Sequence, residues 1–211
     1  MRSNYESVKT GDKEDRFWTI PNMLTLSRIV MAVPIGILLS LNTPSNYLWV
    51  FIILIVAYIT DWADGFIARA TDSISRYGKI LDPIGDKLIA SVVSLILFIH
   101  GLFPLYLFLT IFIRDFGILA GAFYAMKKKN LLATPNIVGK LSTLVLAVVL
   151  PLYPVKYSTI PQLNIEWLNL TINYTVEYGS YLVAGLLIIS AIIYGITYIQ
   201  NVFKKAPGDL K

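Results

Sequence analysis

Residues 42–60 read NTPSNYLWVFIILIVAYIT, a run without Asp, Glu, Lys or Arg that ends directly on Asp61-Trp62-Ala63-Asp64-Gly65. A helix crossing the hydrocarbon core of a bilayer needs about 20 mostly apolar residues, and this run supplies them before the first charge. Leu88–Ile113 and Tyr178–Phe203 are equally uncharged, as are the shorter runs Ile29–Leu41 and Leu141–Val155. Leu88–Ile113 is broken at Ile99-His100-Gly101, with Pro104 just beyond, which predicts two helices in a hairpin. Its second arm continues through Arg114-Asp115 to about Met126. Six spans follow, at 22–41, 47–70, 79–100, 103–126, 136–155 and 178–203, with 156–177 as a loop.

The composition agrees. The chain has 211 residues, 56% apolar and 15% charged, with mean hydropathy +0.65. Soluble domains average roughly 45–50% apolar and about 25% charged. There is no Cys, which excludes disulfides, thiolate metal sites and cysteine nucleophiles. A single His, His100, at a helix end, excludes histidine-rich zinc chemistry. The net charge of +5 sits in short clusters between apolar runs, the pattern of membrane flanks and not of a nucleic-acid surface.

Orientation follows from Lys and Arg. One side holds Arg2, Lys9, Lys13, Arg16, Arg28, Arg69, Arg76, Lys79, Lys87, Lys127, Lys128, Lys129, Lys140, Lys204, Lys205 and Lys211. The other has Lys156 beside Glu166 and Glu177. Both termini are therefore expected in the cytoplasm. Residues 1–16 form a polar cytoplasmic tail, a short interfacial segment around Phe17-Trp18 leads into the membrane domain 17–203, and 204–211 is a second tail.

Five of the 13 acidic residues crowd together: Asp61, Asp64, Asp72, Asp82 and Asp86. Asp61 and Asp64 stand three apart at the end of one span, and Asp82 and Asp86 four apart at the start of the next. Both spacings put side chains on one helical face, so antiparallel helices can aim four carboxylates at one volume. Ionisable groups at membrane depth are costly and face a cavity or a partner. Four converging anions repel unless cations neutralise them. Two divalent ions balance four carboxylates, and an all-oxygen set favours Mg2+ or Mn2+. Gly65, Ala68, Gly78 and Gly85 lie on the same stretch, and helical glycine costs roughly 1 kcal/mol against Ala. Several near one anionic site suggest close approach by a ligand. Arg69 and Lys87 border the acids and could meet phosphate oxygens.

Asp61-x2-Asp64-Gly65-x2-Ala68-Arg69, eight residues, then Gly78-x3-Asp82-x3-Asp86 resembles the CDP-alcohol phosphatidyltransferase signature at all eight fixed positions. The resemblance implies transfer of a phosphatidyl group from a CDP-linked donor to an acceptor hydroxyl, with release of CMP. It implies that Asp61, Asp64, Asp82 and Asp86 hold two Mg2+ or Mn2+ ions, that Asp86 takes the acceptor's proton, and that Gly65, Ala68, Arg69 and Gly78 line the donor pocket. Ile20-Pro21-Asn22-x-Leu24-Thr25-x2-Arg28 and Tyr77-Gly78-Lys79 are similar to the phosphatidylglycerophosphate synthase branch, which adds Asn22, Thr25 and Arg28 to the donor site. That branch uses CDP-diacylglycerol and sn-glycerol 3-phosphate, an acceptor whose phosphate Arg114 and Lys140 would meet. Arg114-Asp115 and Thr134-Pro135-Asn136-x3-Lys140 also resemble the cardiolipin synthase branch, whose acceptor is phosphatidylglycerol. A homodimer in the cell (inner) membrane, with a cytoplasmic active site, is the family's usual state. A cation-coupled transporter is the alternative from another class. It would place carboxylates at the midplane and carry an internal repeat, neither of which is visible here.

Overall fold

The computed structural model describes residues 20–71, 78–127 and 137–203, and within them the side chains of 23, 26–60, 87–121 and 137–197. Both tails and the interfacial segment before Ile20 lie outside the described residues. Among the described residues the helices are α1 (Ile20–Ser40), α2 (Pro44–Thr71), α3 (Gly78–Ile99), α4 (Leu105–Lys127), α5 (Ile137–Tyr157) and α6 (Glu166–Phe203). A 3-10 segment, Ile160–Leu163, precedes α6, and there is no strand among these residues. The described residues are all-helical, as expected, and the first five helices begin and end within a few residues of the expected spans. Two helical stretches, Ile137–Tyr157 and Glu166–Thr197, are long and apolar enough to cross a membrane. Leu26–Ser40, Pro44–Thr60 and Lys87–Ile99 are apolar but shorter.

Two compact units divide between Ile96 and Leu97. In the first, the buried positions repeat every three or four residues: Ala32, Ile35 and Leu39 on α1, Tyr47, Val50, Leu54 and Ala57 on α2, and Ile89 and Val93 on α3. That is one stripe per helix. The opposite faces are also apolar, with Val30, Val33, Ile37, Trp49, Ile52, Val56 and Ile59 exposed. A helix apolar all round suits lipid, where close packing rather than expulsion of water holds helices together. Gly36 fits that rule, since a methyl there would lie 3.6 Å from Val92 Cγ1 and 3.7 Å from Ile96 Cδ1 on α3. The α1–α2 turn is built by Asn42 at φ 51, a conformation Asn tolerates better than most residues. Thr43 Oγ1 then accepts from Asn46 N at 3.3 Å, and Pro44 opens α2, a usual start for a helix.

The second unit opens at the end of α3. Gly101 N donates to Phe98 O and Leu102 N to Leu97 O, both at 2.9 Å, around Gly101 at φ 71. This is the Schellman arrangement, in which a left-handed glycine satisfies the last carbonyls of a helix. The expected hairpin break at His100-Gly101 is thus where the chain turns. Helices α4 and α5 both pack against α6. Leu107 and Ile111 on α4, Leu146, Val149 and Leu150 on α5, and Val176, Val183 and Leu187 on α6 fill the core. Tyr153 is buried, its ring 4.5 Å from that of Phe103, and its hydroxyl 2.7 Å from Ser180 Oγ.

One expectation fails. Residues 156–177 are not a loop, because α6 begins at Glu166. The buried stripe of α6 continues N-terminally through Val176 and Ile172, and Glu166 in the first turn is favourable at the positive end of the helix dipole. Asn169, Asn173 and Glu177 make this stretch look like loop to any reading based on hydropathy. The true connection is short, and Asn164 closes it at φ 54 with its N donating to Pro161 O at 3.2 Å.

Candidate active site

Asp61, Asp64, Gly65, Ala68 and Arg69 lie on the last turns of α2, and Gly78, Asp82 and Asp86 on the first turns of α3. Their side chains lie outside the described residues. The helical backbone nonetheless makes the spacings of three and four meaningful, since each pair of acids occupies one side of its helix. The donor set is all-oxygen and anionic, so these residues fit hard divalent cations such as Mg2+ or Mn2+. Asn22 and Thr25 are on α1, with side chains likewise outside the described residues. Arg28, one turn on, is buried at 9% exposure.

The second unit brings the two expected acceptor cations into one neighbourhood. Arg114 lies in the middle of α4 and is buried, as is Asp115. Adjacent helical positions do not face each other, yet the long guanidinium reaches back to place Nη1 2.7 Å from Asp115 Oδ1. Its Nη2 lies 3.4 Å from both Gly139 O and Thr143 Oγ1 on α5. Arg114 Nε is buried with no hydrogen-bond partner among the described residues. Lys140, next to Gly139 in the first turn of α5, is exposed.

Gly139 was not singled out from the sequence, and it organises this corner. Its carbonyl accepts from Ser142 Oγ and Thr143 Oγ1, each at 2.9 Å, and from Arg114. A Cβ at Gly139 would come within 3.1 Å of Ser190 Oγ and 3.2 Å of Tyr194 Cε2 on α6. The missing Cβ leaves room for the Ser190 hydroxyl and the Tyr194 ring against α5. The available signal was the run of small residues Gly139, Ser142 and Thr143 on one face, the mark of a helix contact in a membrane.

Residues 18–196 match the family model for CDP-alcohol phosphatidyltransferase. The chain belongs to that family. It is 35% identical over 131 residues to a Mycobacterium tuberculosis protein provisionally named a cardiolipin synthase, covering 62% of this chain and 61% of that protein. The matched segment thus spans less than two thirds of that relative. It is 31% identical over 206 residues to the CDP-diacylglycerol–glycerol-3-phosphate 3-phosphatidyltransferase of Mycoplasma genitalium, covering 86% of this chain and 84% of that protein. A human CMP-forming cardiolipin synthase is 37% identical over 124 residues, covering 58% of this chain and 40% of that protein.

Proposed function

We propose that this chain makes phosphatidylglycerophosphate by transferring the phosphatidyl group of CDP-diacylglycerol to sn-glycerol 3-phosphate, releasing CMP. One observation carries the reading: all eight signature positions are present, and both pairs of acids lie on helices at spacings of three and four. The glycerol-3-phosphate acceptor is supported by the Mycoplasma genitalium match, which runs along most of both chains. In this reading the six helices are six spans with both termini in the cytoplasm, and the acids stand at the cytoplasmic face of the cell membrane. The chain would work as a homodimer, as the resemblance implies.

Asp61, Asp64, Asp82 and Asp86 would hold two divalent cations. Bound there, Mg2+ or Mn2+ would polarise the phosphoryl group under attack and stabilise the leaving CMP. The chain's own residues supply the rest. Asp86 accepts the proton of the glycerol 3-phosphate hydroxyl as its oxygen attacks the phosphorus of the phosphatidyl group and the bond to CMP breaks. Asn22, Thr25, Arg28, Gly65, Ala68, Arg69 and Gly78 orient the CDP moiety, the glycines and alanine by leaving room for it. Arg114 and Lys140 meet the acceptor's phosphate. Lys140 suits that role because a cation in the first turn sits against the positive end of the α5 dipole, so a nearby anion relieves it.

A second reading, cardiolipin synthesis with phosphatidylglycerol as acceptor, is favoured by the mycobacterial and human relatives. Purified protein in detergent, given CDP-diacylglycerol, Mn2+ and each acceptor in turn, separates them. Glycerol 3-phosphate is expected to give the fastest CMP release. Faster turnover with phosphatidylglycerol would move the chain to the other branch.

A further inference from the structure

We infer that the second unit carries a binding site for an anionic phospholipid headgroup bearing hydroxyls, in the cleft between the C-terminal end of α5 and the start of α6. The cleft has a volume of about 190 Å³ and is lined by Lys156, Tyr157, Pro161, Asn169, Ile172 and Asn173. The inference rests on the membrane orientation proposed above, which puts this end of the helices at the interface away from the carboxylates.

Lys156 is the first ground. It is the only Lys or Arg between Leu141 and Phe203, and it stands on the side where the distribution of cations disfavours one. Its Nζ lies 5.9 Å from the centre of the Tyr157 ring, which contributes weakly at that range. A half-buried ammonium in a cleft at the lipid interface is suited to a phosphate.

Asn169 is the second, and it is independent. Its Nδ2 donates to Pro161 O at 3.2 Å, a bond that fixes the orientation of the amide, because the reversed amide would set oxygen against oxygen. Asn169 Oδ1 is then buried, and it has no hydrogen-bond partner among the described residues. A buried acceptor left unmet is costly, and a hydroxyl would satisfy it. Asn173 adds a second amide, and buried Ile172 contributes apolar surface.

The chemistry selects the ligand class. Among the six lining residues there is one cation and no carboxylate, with Glu166 and Glu177 one turn beyond Asn169 and Asn173 on α6, so Lys156 is the group that would meet a single phosphate charge. The lining pairs that charge with a neutral acceptor, which fits an alcohol better than an ammonium group. Exposed Leu163 and Trp167 flank the cleft along the chain, surfaces suited to acyl chains and the headgroup layer. A phosphodiester lipid with a glycerol headgroup meets all of these demands, whereas a free phosphate ester leaves the apolar surfaces unused.

Native mass spectrometry of the full chain in detergent tests this with phosphatidylglycerol as the probe. Phosphatidylcholine and phosphatidylethanolamine serve as comparison lipids, and glycerol 3-phosphate and inorganic phosphate as competitors. Wild-type protein and Lys156→Arg should retain phosphatidylglycerol in preference to both other lipids. Lys156→Gln and Asn169→Leu should bind it about tenfold more weakly. Asn173→Leu is the fallback should Asn169→Leu not fold. Unchanged binding in Lys156→Gln, equal retention of phosphatidylethanolamine, or displacement by either free phosphate overturns the proposal. CMP release in the same preparations reports separately on the catalytic reading, and Lys156→Gln should leave it unchanged.

Discussion

Replacing Asp115 by Asn keeps the size of the side chain and removes its charge, leaving the buried guanidinium of Arg114 without its counter-ion. The two side chains are 7% and 9% exposed and approach to 2.7 Å. With charge centres about 4 Å apart and an effective dielectric near 20, their attraction is about 4 kcal/mol. Breaking a buried pair by deleting one partner costs about 3–5 kcal/mol in proteins where it has been measured. Thermal unfolding in detergent should therefore show Asp115→Asn destabilised by about 4 kcal/mol, or about 8–16 °C in Tm for a chain of this size. Removing both charges with Arg114→Met and Asp115→Leu together should recover most of that loss, since a well-packed apolar pair can replace a buried ionic one. The double variant then exposes the second role assigned to Arg114. It should be close to wild type in stability yet show a raised KM for glycerol 3-phosphate. A loss below about 1 kcal/mol in Asp115→Asn would refute the pairing argument, and an unchanged KM in the stable double variant would remove Arg114 from the acceptor site.

Other consequences are simpler to measure. Gly179→Ala would place a methyl carbon 2.7 Å from Val149 Cγ2, so α5 and α6 must separate or Val149 must move. A loss of about 1–3 kcal/mol in unfolding is expected, with partial rescue by Val149→Ala. Tyr153→Phe removes the buried bond to Ser180 Oγ and should cost about 1 kcal/mol by the same measurement. Because the chain has no Cys, single cysteines report topology cleanly. A cysteine at exposed Leu163 should react with an impermeant maleimide in intact cells. One replacing Lys205 should react only after the membrane is opened, and the reverse pattern would invert the proposed orientation.

The amount of structure legible in the sequence differs from element to element. The long apolar runs gave α1 to α5 their places, because a stretch read as membrane-crossing is expected to satisfy its backbone internally as helix. His100-Gly101 and Pro104 marked the α3–α4 turn for a local reason, the left-handed glycine at φ 71. The start of α6 was hidden, since Asn169 and Asn173 are polar while the stripe that fixes the helix, Ile172 and Val176, has only two members before the next apolar run. Arg114 could be recognised as an unusual charge inside an expected span. That it reaches Gly139, 25 positions away, depends on how α4 and α5 lie against α6, and no local pattern encodes that. The four aspartates were the reverse case. Residue type and spacing alone raise the expectation of a cation site there, and the structure adds that both spacings lie on helix.

CMP release from CDP-diacylglycerol and glycerol 3-phosphate, followed in wild-type protein and in Asp86→Asn with and without a chelator, is the most direct measurement. Metal-dependent release that falls by at least about a hundredfold in the variant is expected if Asp86 takes the acceptor's proton within a cation site. Release that continues at the wild-type rate in Asp86→Asn, or that is indifferent to the chelator, would contradict it.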